Sequence, residues 1–145
     1  MELPEAIHSQ VKALCAEGDA HAEQASYDEA VCKYAVALEL LPEPITQWEA
    51  ATWILTAIGD ARFLQKRYDE AIQPLLDAMK CPGAIGSPFV HLRLGQVQFE
   101  LGNEVLAKDE LARAYMGGGK KLFQTEDLKY WEVVTSALKR PPGGW

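Results

Sequence analysis

Cysteine is scarce in this sequence and occurs only as Cys15, Cys32 and Cys81. The number is odd and no two cysteines have C-x-x-C spacing, which argues against a disulfide framework and against a zinc site. The three histidines are far apart and lack the i, i+4 pairing that a helical zinc site uses. We therefore expect no metal, no cofactor and a reducing, cytoplasmic location.

Long hydrophobic runs are also missing. No segment approaches the length of a membrane-spanning helix. The first residues include Glu2, Pro4 and Glu5 in place of the cationic start and apolar centre of a signal peptide. These two absences predict a protein that neither crosses a membrane nor carries a secretory leader.

Basic residues are few in the first part of the chain. Residues 1–60 contain 11 acidic and 2 basic residues, whereas residues 61–145 contain 10 acidic and 12 basic residues, which together give the net charge of −7. An acidic surface disfavours nucleic acid and anionic membranes as ligands and suits a basic partner. A solvated helix surface that keeps the protein soluble is the alternative explanation.

Motifs of catalysis are incomplete wherever they begin. The sequence GGGKK at 117–121 resembles part of a phosphate-binding loop, but Lys121 replaces the required Ser or Thr, and a helical segment precedes it instead of a strand. The HAE triplet at 21–23 matches half of a deaminase zinc motif without the P-C-x-x-C half. No nucleophile elbow is present. We therefore predict a protein that is not an enzyme.

The sequence does contain an internal repeat, in which a glycine is followed twelve residues later by an alanine. The pairs are Gly18/Ala30, Gly59/Ala71 and Gly95/Ala107. A bulky residue and a second alanine follow at fixed distances: Tyr34 and Ala37, Leu75 and Ala78, Leu111 and Ala114. Both flanks have helical spacing, so each repeat predicts two antiparallel helices. We expect each glycine to face its alanine, and the bulky residues to fill the space between hairpins.

This pattern resembles that of the tetratricopeptide-repeat family. The three repeats run over 14–42, 55–83 and 91–119, and the tetrad Tyr-Asp-Glu-Ala occurs at 27–30 and at 68–71. The resemblance implies an all-α fold, a right-handed superhelical stack of three helical hairpins plus a C-terminal capping helix. It implies one domain over residues 1–140, followed by a flexible tail at 141–145. Within the domain, the repeats are expected at about 11–44, 52–86 and 88–119, and the capping helix at about 125–139.

Capping residues predict where the helices begin. Ser26, Ser87 and Asn103 precede three of the periodic segments, and Thr46 forms a capping box with Glu49 ahead of the third helix. Thr125 with the acidic residues after it is expected to open the last helix. The helices are expected at about 4–24, 26–41, 46–66, 68–80, 87–101, 103–116 and 125–139.

The first helices of successive repeats are expected to line a concave face, where this family binds its partners. The helical phase relative to each glycine predicts which side chains point into that groove. They are Lys12, Cys15, Asp19 and Glu23, then Trp53, Thr56, Asp60 and Phe63, then Phe89, Arg93, Gln96, Phe99 and Glu100. Aromatic side chains in a groove are good anchors for a partner segment. Packing in the core is the alternative for each aromatic.

Family members that bind chaperone tails hold a C-terminal carboxylate with Lys and Asn side chains and an Arg. The matching positions in this sequence are Cys15, Asp19, Ala57, Phe89 and Arg93. Only the arginine is retained, so the resemblance does not imply a chaperone-tail adaptor.

Two longer segments, residues 48–63 and 81–123, resemble short bacterial tetratricopeptide-repeat proteins encoded beside polymorphic (Rhs-type) toxins. This resemblance implies a cytosolic immunity protein that binds and neutralises a cognate toxin. One alternative is a secretion-type chaperone or adaptor that binds an extended peptide in its concave groove, and a general scaffold is another. In each case we expect a protein partner, no nucleic acid and no membrane, and a monomer or weak homodimer.

Overall fold

The computed structural model describes residues 2–145, and every regular element within them is helical. The α-helices are α1 (Glu5–Glu23), α2 (Tyr27–Glu39), α3 (Glu49–Leu64), α4 (Tyr68–Ala78), α5 (Pro88–Glu100), α6 (Glu104–Gly118) and α7 (Leu128–Ala137). Two short 3-10 helices lie at Ile45–Gln47 and Lys120–Phe123. The predicted all-α class, with three helical hairpins and an added C-terminal helix, is confirmed.

The chain divides between Ala84 and Ile85 into two compact units. In the first unit, α1 packs on α2, α3 packs on α4, and α2 packs on α3, so two hairpins share one core. In the second unit, α5 packs on α6, and α7 packs against α6. The second unit therefore consists of one hairpin and the C-terminal helix.

The repeated glycines allow close packing within each hairpin. A β-carbon placed on Gly18 would lie 2.5 Å from Cε1 of Tyr34, and one placed on Gly95 would lie 2.8 Å from Cδ2 of Leu111. The second hairpin has the same arrangement. The bulky residue of each repeat thus packs on the glycine of its own hairpin. The missing glycine side chain leaves room for these residues inside the hairpin, and Tyr34 also belongs to a core cluster that includes Ile54 and Leu55 of the next hairpin.

A left-handed residue occupies the same place in all three hairpin turns. Ala25, Lys66 and Gly102 each lie two residues after the first helix of their hairpin, with φ angles of 59°, 61° and 84°. Two of the three carry side chains in a conformation that favours glycine. The turn geometry is therefore repeated although the turn sequence is not.

The start of α3 differs from the prediction. Thr46 lies in the short 3-10 helix at Ile45–Gln47, and Trp48 is extended, with φ −106° and ψ 129°, so α3 begins only at Glu49. Trp48 is 6% exposed, and its Nε1 donates a hydrogen bond to the carbonyl oxygen of Pro42 at 2.7 Å. Trp48, and not Thr46, therefore occupies the N-cap position of α3, and the predicted Thr46 capping box does not form.

The remaining helix caps are partly as predicted. Ser87 accepts a hydrogen bond from the first turn of α5 at 3.4 Å. Ser26 and Asn103 precede α2 and α6, but neither side chain accepts a capping hydrogen bond. The last helix is capped by Asp127, whose carboxylate accepts from a backbone N–H at 2.9 Å, and not by Thr125. A carboxylate at this position also interacts favourably with the helix dipole.

Trp145 packs onto the C-terminal helices. Its ring centroid lies 5.6 Å from that of Tyr115 on α6 and 5.6 Å from that of Trp131 on α7, both in edge-on geometry. The last residue of the segment expected to be a flexible tail therefore contacts two aromatic side chains of the second unit.

Candidate functional site

The predicted groove residues of the first unit differ widely in exposure. Four are exposed and three are partly buried; Thr56 alone is buried, and its hydroxyl donates to the carbonyl oxygen of Thr52 at 2.7 Å. The exposed residues are Lys12, Asp19, Glu23 and Trp53, and the partly buried ones are Cys15, Asp60 and Phe63. Thr56 therefore presents no surface to a partner, whereas the others remain candidates for contact.

Two of these carboxylates lie close to one buried phenol. Tyr34 donates a hydrogen bond to Oδ1 of Asp19 at 2.6 Å. Burial raises the pKa of Tyr34 well above its ordinary value, and the hydrogen bond to Asp19 and the negative charges of Asp19 and Asp60 raise it further. Burial, with a smaller effect of Asp19, also raises the pKa of Cys15. A thiol kept protonated in this way is a poor nucleophile.

A cleft of about 530 Å³ opens where the first turns of α1 and α3 meet. We call it the aromatic cleft, and the residues that define it are Glu2, Glu5, His8, Trp48, Glu49 and Trp53. Trp53 is 48% exposed, and its Nε1 lies 3.4 Å from Oε1 of Glu49. Of these residues the sequence predicted only Trp53. The i, i+3 spacing of Glu5 and His8 was a usable signal, because it places two polar side chains on one face of α1.

In the second unit, the predicted groove residue Arg93 is occupied by contacts within the protein. Nη1 of Arg93 donates to Oε1 of Glu126 at 2.6 Å and to Oε1 of Gln96 at 2.8 Å. Nε2 of Gln96 donates to the same Glu126 oxygen at 2.7 Å. The Arg93 guanidinium also lies 4.9 Å from the ring centroid of Phe89. The only clamp position that retains its residue is thus buried against the segment before α7.

The pKa of Glu126 reflects this network. Burial raises the pKa of the carboxyl group, but the hydrogen bond from Gln96 and the charge of Arg93 outweigh burial, so the net pKa is lowered. Glu126 is therefore ionised at neutral pH and forms an ion pair with Arg93, whose side chain is 9% exposed.

The last two predicted groove residues contact α7. Oε1 of Glu100 accepts hydrogen bonds from the Tyr130 hydroxyl at 2.7 Å and from Nζ of Lys129 at 2.6 Å. The ring of Phe99 packs edge-on against Tyr130, with 5.5 Å between centroids. Burial raises the pKa of Glu100, but the hydrogen bonds from Lys129 and Tyr130 outweigh it, and the net pKa is lowered. Within the second unit, the C-terminal segment therefore contacts the third-repeat residues that the sequence assigned to a partner.

His91 was not predicted to belong to a site, and the structure places it in a buried pair with Glu110. Nδ1 of His91 lies 2.5 Å from Oε2 of Glu110, and Nε2 lies 2.6 Å from the carbonyl oxygen of Ile85. Both neighbours are hydrogen-bond acceptors, so both ring nitrogens are in position to donate. Each ring nitrogen of His91 therefore faces an acceptor within the protein, and neither is directed at a metal or a substrate.

Helix length, possible metal ligands and the free cysteines indicate no further candidate site within residues 2–145. Within residues 2–145 no helix is both long and apolar enough to cross a membrane. In the same part of the chain, no three His, Cys, Asp or Glu side chains are grouped so as to hold a metal ion. Cys32 is exposed, whereas Cys81 is buried, and burial raises its pKa.

Comparison with solved structures identifies a protein of similar fold. The structure is similar to the first TPR domain of Spaghetti (RPAP3), solved bound to the HSP90 peptide SRMEEVD, with a TM-score of 0.67. The match covers 89% of this chain and 90% of that chain at 16% sequence identity. The fold is that of a tetratricopeptide-repeat domain. No protein-family model matches the sequence, and no curated protein matches it.

Proposed function

We propose that this tetratricopeptide-repeat chain is a non-catalytic binding module that acts as a cytosolic immunity protein. In this role it binds the catalytic domain of a cognate toxin and blocks it. The observation that carries the proposal is the acidic surface of α1 and α3 in the first unit, which includes an exposed tryptophan. Exposed aromatic side chains within a charged surface are typical anchors of protein interfaces.

The charge of this surface favours a basic partner. Asp19, Glu23 and Asp60 belong to it, and the three glutamates of the aromatic cleft continue it. Lys12 is the exposed base among the predicted groove residues of this unit. Of the other bases, Lys33 lies 3.3 Å from Glu17, and Arg62 lies 2.8 Å from Asp28. An acidic surface of this kind accelerates association with a basic protein, and the effect decreases as salt is added.

The contacts of the second unit favour binding over catalysis. The polar side chains that a catalytic site would need, among them Arg93, Glu126, His91 and Glu110, are engaged with one another or with the backbone. Groups held in such internal contacts stabilise the second unit. This arrangement supports a structural role for the second unit.

A second candidate function is a secretion-type chaperone or adaptor that binds an extended peptide. The similar solved domain is bound to a peptide, and this observation favours the candidate. That peptide, SRMEEVD, contains three acidic residues, whereas the α1 and α3 surface of this chain is itself acidic. A peptide bound here would therefore have to be basic.

Co-expression with a toxin encoded next to this gene tests the immunity role. We expect the wild-type chain to restore growth, and the double variant Glu23→Lys/Trp53→Ala to lose protection because charge and anchor are both removed. Glu39→Lys, an exposed residue on α2, is the matched control and should still protect. Cells that die in the presence of abundant, folded wild-type chain would refute the immunity role.

A peptide-binding test separates the second candidate. An adaptor should bind an unfolded basic segment of the partner as tightly as the folded partner, because an extended peptide provides all of its contacts. An immunity protein should bind only the folded toxin domain. Calorimetry with the folded domain and with its proteolytic peptides makes this comparison.

A further inference from the structure

The aromatic cleft combines a rigid indole and an accessible one. Trp48 is 6% exposed and is held by its hydrogen bond to the Pro42 carbonyl at 2.7 Å. Trp53 lies on the first turns of α3 and is 48% exposed. An aromatic ring on a helix needs no reordering of the backbone before it contacts a ligand, so little conformational entropy is lost on binding. The cleft is thus preorganised around its two tryptophans.

Among the described residues that line the cleft, the carboxylates give charge of one sign. Glu2, Glu5 and Glu49 lie in its lining, and none of the residues that line it is a lysine or arginine. His8 is the one other titratable side chain of the lining. A neutral or acidic ligand group would remove water from these carboxylates without supplying a counter-charge, which is unfavourable. A cationic ligand therefore binds to this lining with the smallest uncompensated desolvation penalty.

We propose that the aromatic cleft receives an arginine side chain of the partner protein. This inference rests on the proposed function and specifies which side chain of a basic partner is recognised. A guanidinium group is planar, stacks on an indole ring and pairs with a carboxylate through two hydrogen bonds. Trp53 and Glu49 lie one helical turn apart and provide the ring and the carboxylate together. A lysine ammonium lacks the plane needed for stacking.

Nuclear magnetic resonance of the full chain tests the proposal with three small probes. The probes are the N-acetyl, N-methylamide derivatives of arginine, lysine and citrulline, and the readout is the indole Nε1–H signal of Trp53. We expect a saturable shift with arginine at a Kd on the order of 10 mM, a weaker effect with lysine, and none with citrulline. Citrulline has the shape of arginine without its charge. A citrulline shift equal to that of arginine, or tighter binding of lysine, would overturn the proposal.

Two variants test whether the shift of the Trp53 indole signal arises from binding in the aromatic cleft. Glu49→Gln should raise the Kd for arginine by about two- to fivefold, since it removes one exposed ion pair. Glu39→Gln changes the same net charge on α2, away from the cleft lining, and should leave the Kd unchanged. The Trp48 indole signal reports whether the cleft is still folded. Equal Kd values for the two variants would show that binding follows net charge, and the proposal would fail.

The arginine inference and the immunity role fail in different ways. If the chain binds arginine but gives no protection against the toxin, the immunity role is refuted and the proposal that the cleft binds arginine stands. If the chain protects against the toxin but its Trp53 signal does not respond to arginine, the arginine proposal is refuted and the immunity role stands.

Discussion

Replacing Gly59 by alanine tests the central packing feature of this fold. Gly59 lies in the interior of α3, where alanine has the higher helix propensity by about 1 kcal/mol. Propensity alone would therefore make the variant more stable. The tertiary structure predicts the opposite, because the side chain of Leu75 on α4 already occupies the position of the missing methyl group.

The size of the effect follows from the geometry. A β-carbon on Gly59 would lie 2.5 Å from Cγ and 2.7 Å from Cδ2 of Leu75, whereas ordinary carbon contacts are about 3.5–4.0 Å. Leu75 is fully buried and would have to move by about 1 Å into occupied space. Overpacking of this kind costs about 1–3 kcal/mol. After subtraction of the propensity gain, we expect the free energy of unfolding to fall by about 1 kcal/mol.

Thermal and urea unfolding followed by circular dichroism measure this change. For a chain of this length, a loss of about 1 kcal/mol corresponds to a decrease of about 2–4 °C in Tm. The matched variants are Leu75→Ala and the double variant Gly59→Ala/Leu75→Ala. The alanine at position 59 partly fills the cavity left by Leu75, so the double variant should be more stable than the sum of the single effects. An increase in Tm for Gly59→Ala, or strict additivity, would refute this reasoning.

Three further outcomes are expected. Glu126→Gln should lower the free energy of unfolding by about 1.5–3 kcal/mol, because the buried Arg93 loses its charged partner; an unchanged urea midpoint would contradict this role. The folded pKa values of Glu126 and Glu100 lie below the ordinary value, so their stabilisation is present above about pH 4.3 and is lost as the pH falls through the folded pKa values. Urea midpoints measured across that range should fall less steeply in Glu126→Gln. Trp145→Ala should cost about 0.5–1.5 kcal/mol and change the tryptophan emission of the C-terminal helices, whereas wild-type stability would show that its aromatic contacts contribute nothing.

The hairpins were predictable because their signals are local. Each glycine and the residue that covers it lie on two consecutive helices, and helical periodicity extends through both. The turns were less predictable. Gly102 is a recognisable turn residue, but Ala25 and Lys66 adopt the same left-handed conformation without a sequence signal. In those turns hairpin packing overrides the backbone preference of the residue.

The site was predictable only in part. The helical phase assigned both Trp53 and Thr56 to the groove, and of these two side chains Trp53 is exposed and Thr56 is buried. The capping box at Thr46 was a valid local signal, yet the burial of Trp48 prevented it from forming. The hydrogen bonds of these two residues are themselves local, from Thr56 to the carbonyl of Thr52 and from Trp48 to the carbonyl of Pro42, but their burial depends on the elements that pack over them.

The sequence by itself determined that the chain folds into three helical hairpins, because the contacts that define a hairpin join neighbouring helices. Only the tertiary structure decided which side chains remain available to a partner. Gln96 and Glu126 are 30 residues apart, and so are Glu100 and Tyr130. The residue pattern within a single helix cannot predict a contact between residues that are 30 positions apart. The C-terminal segment therefore covers predicted binding residues of the third hairpin, while the tryptophan and the carboxylate of Glu49 at the start of α3 stay exposed.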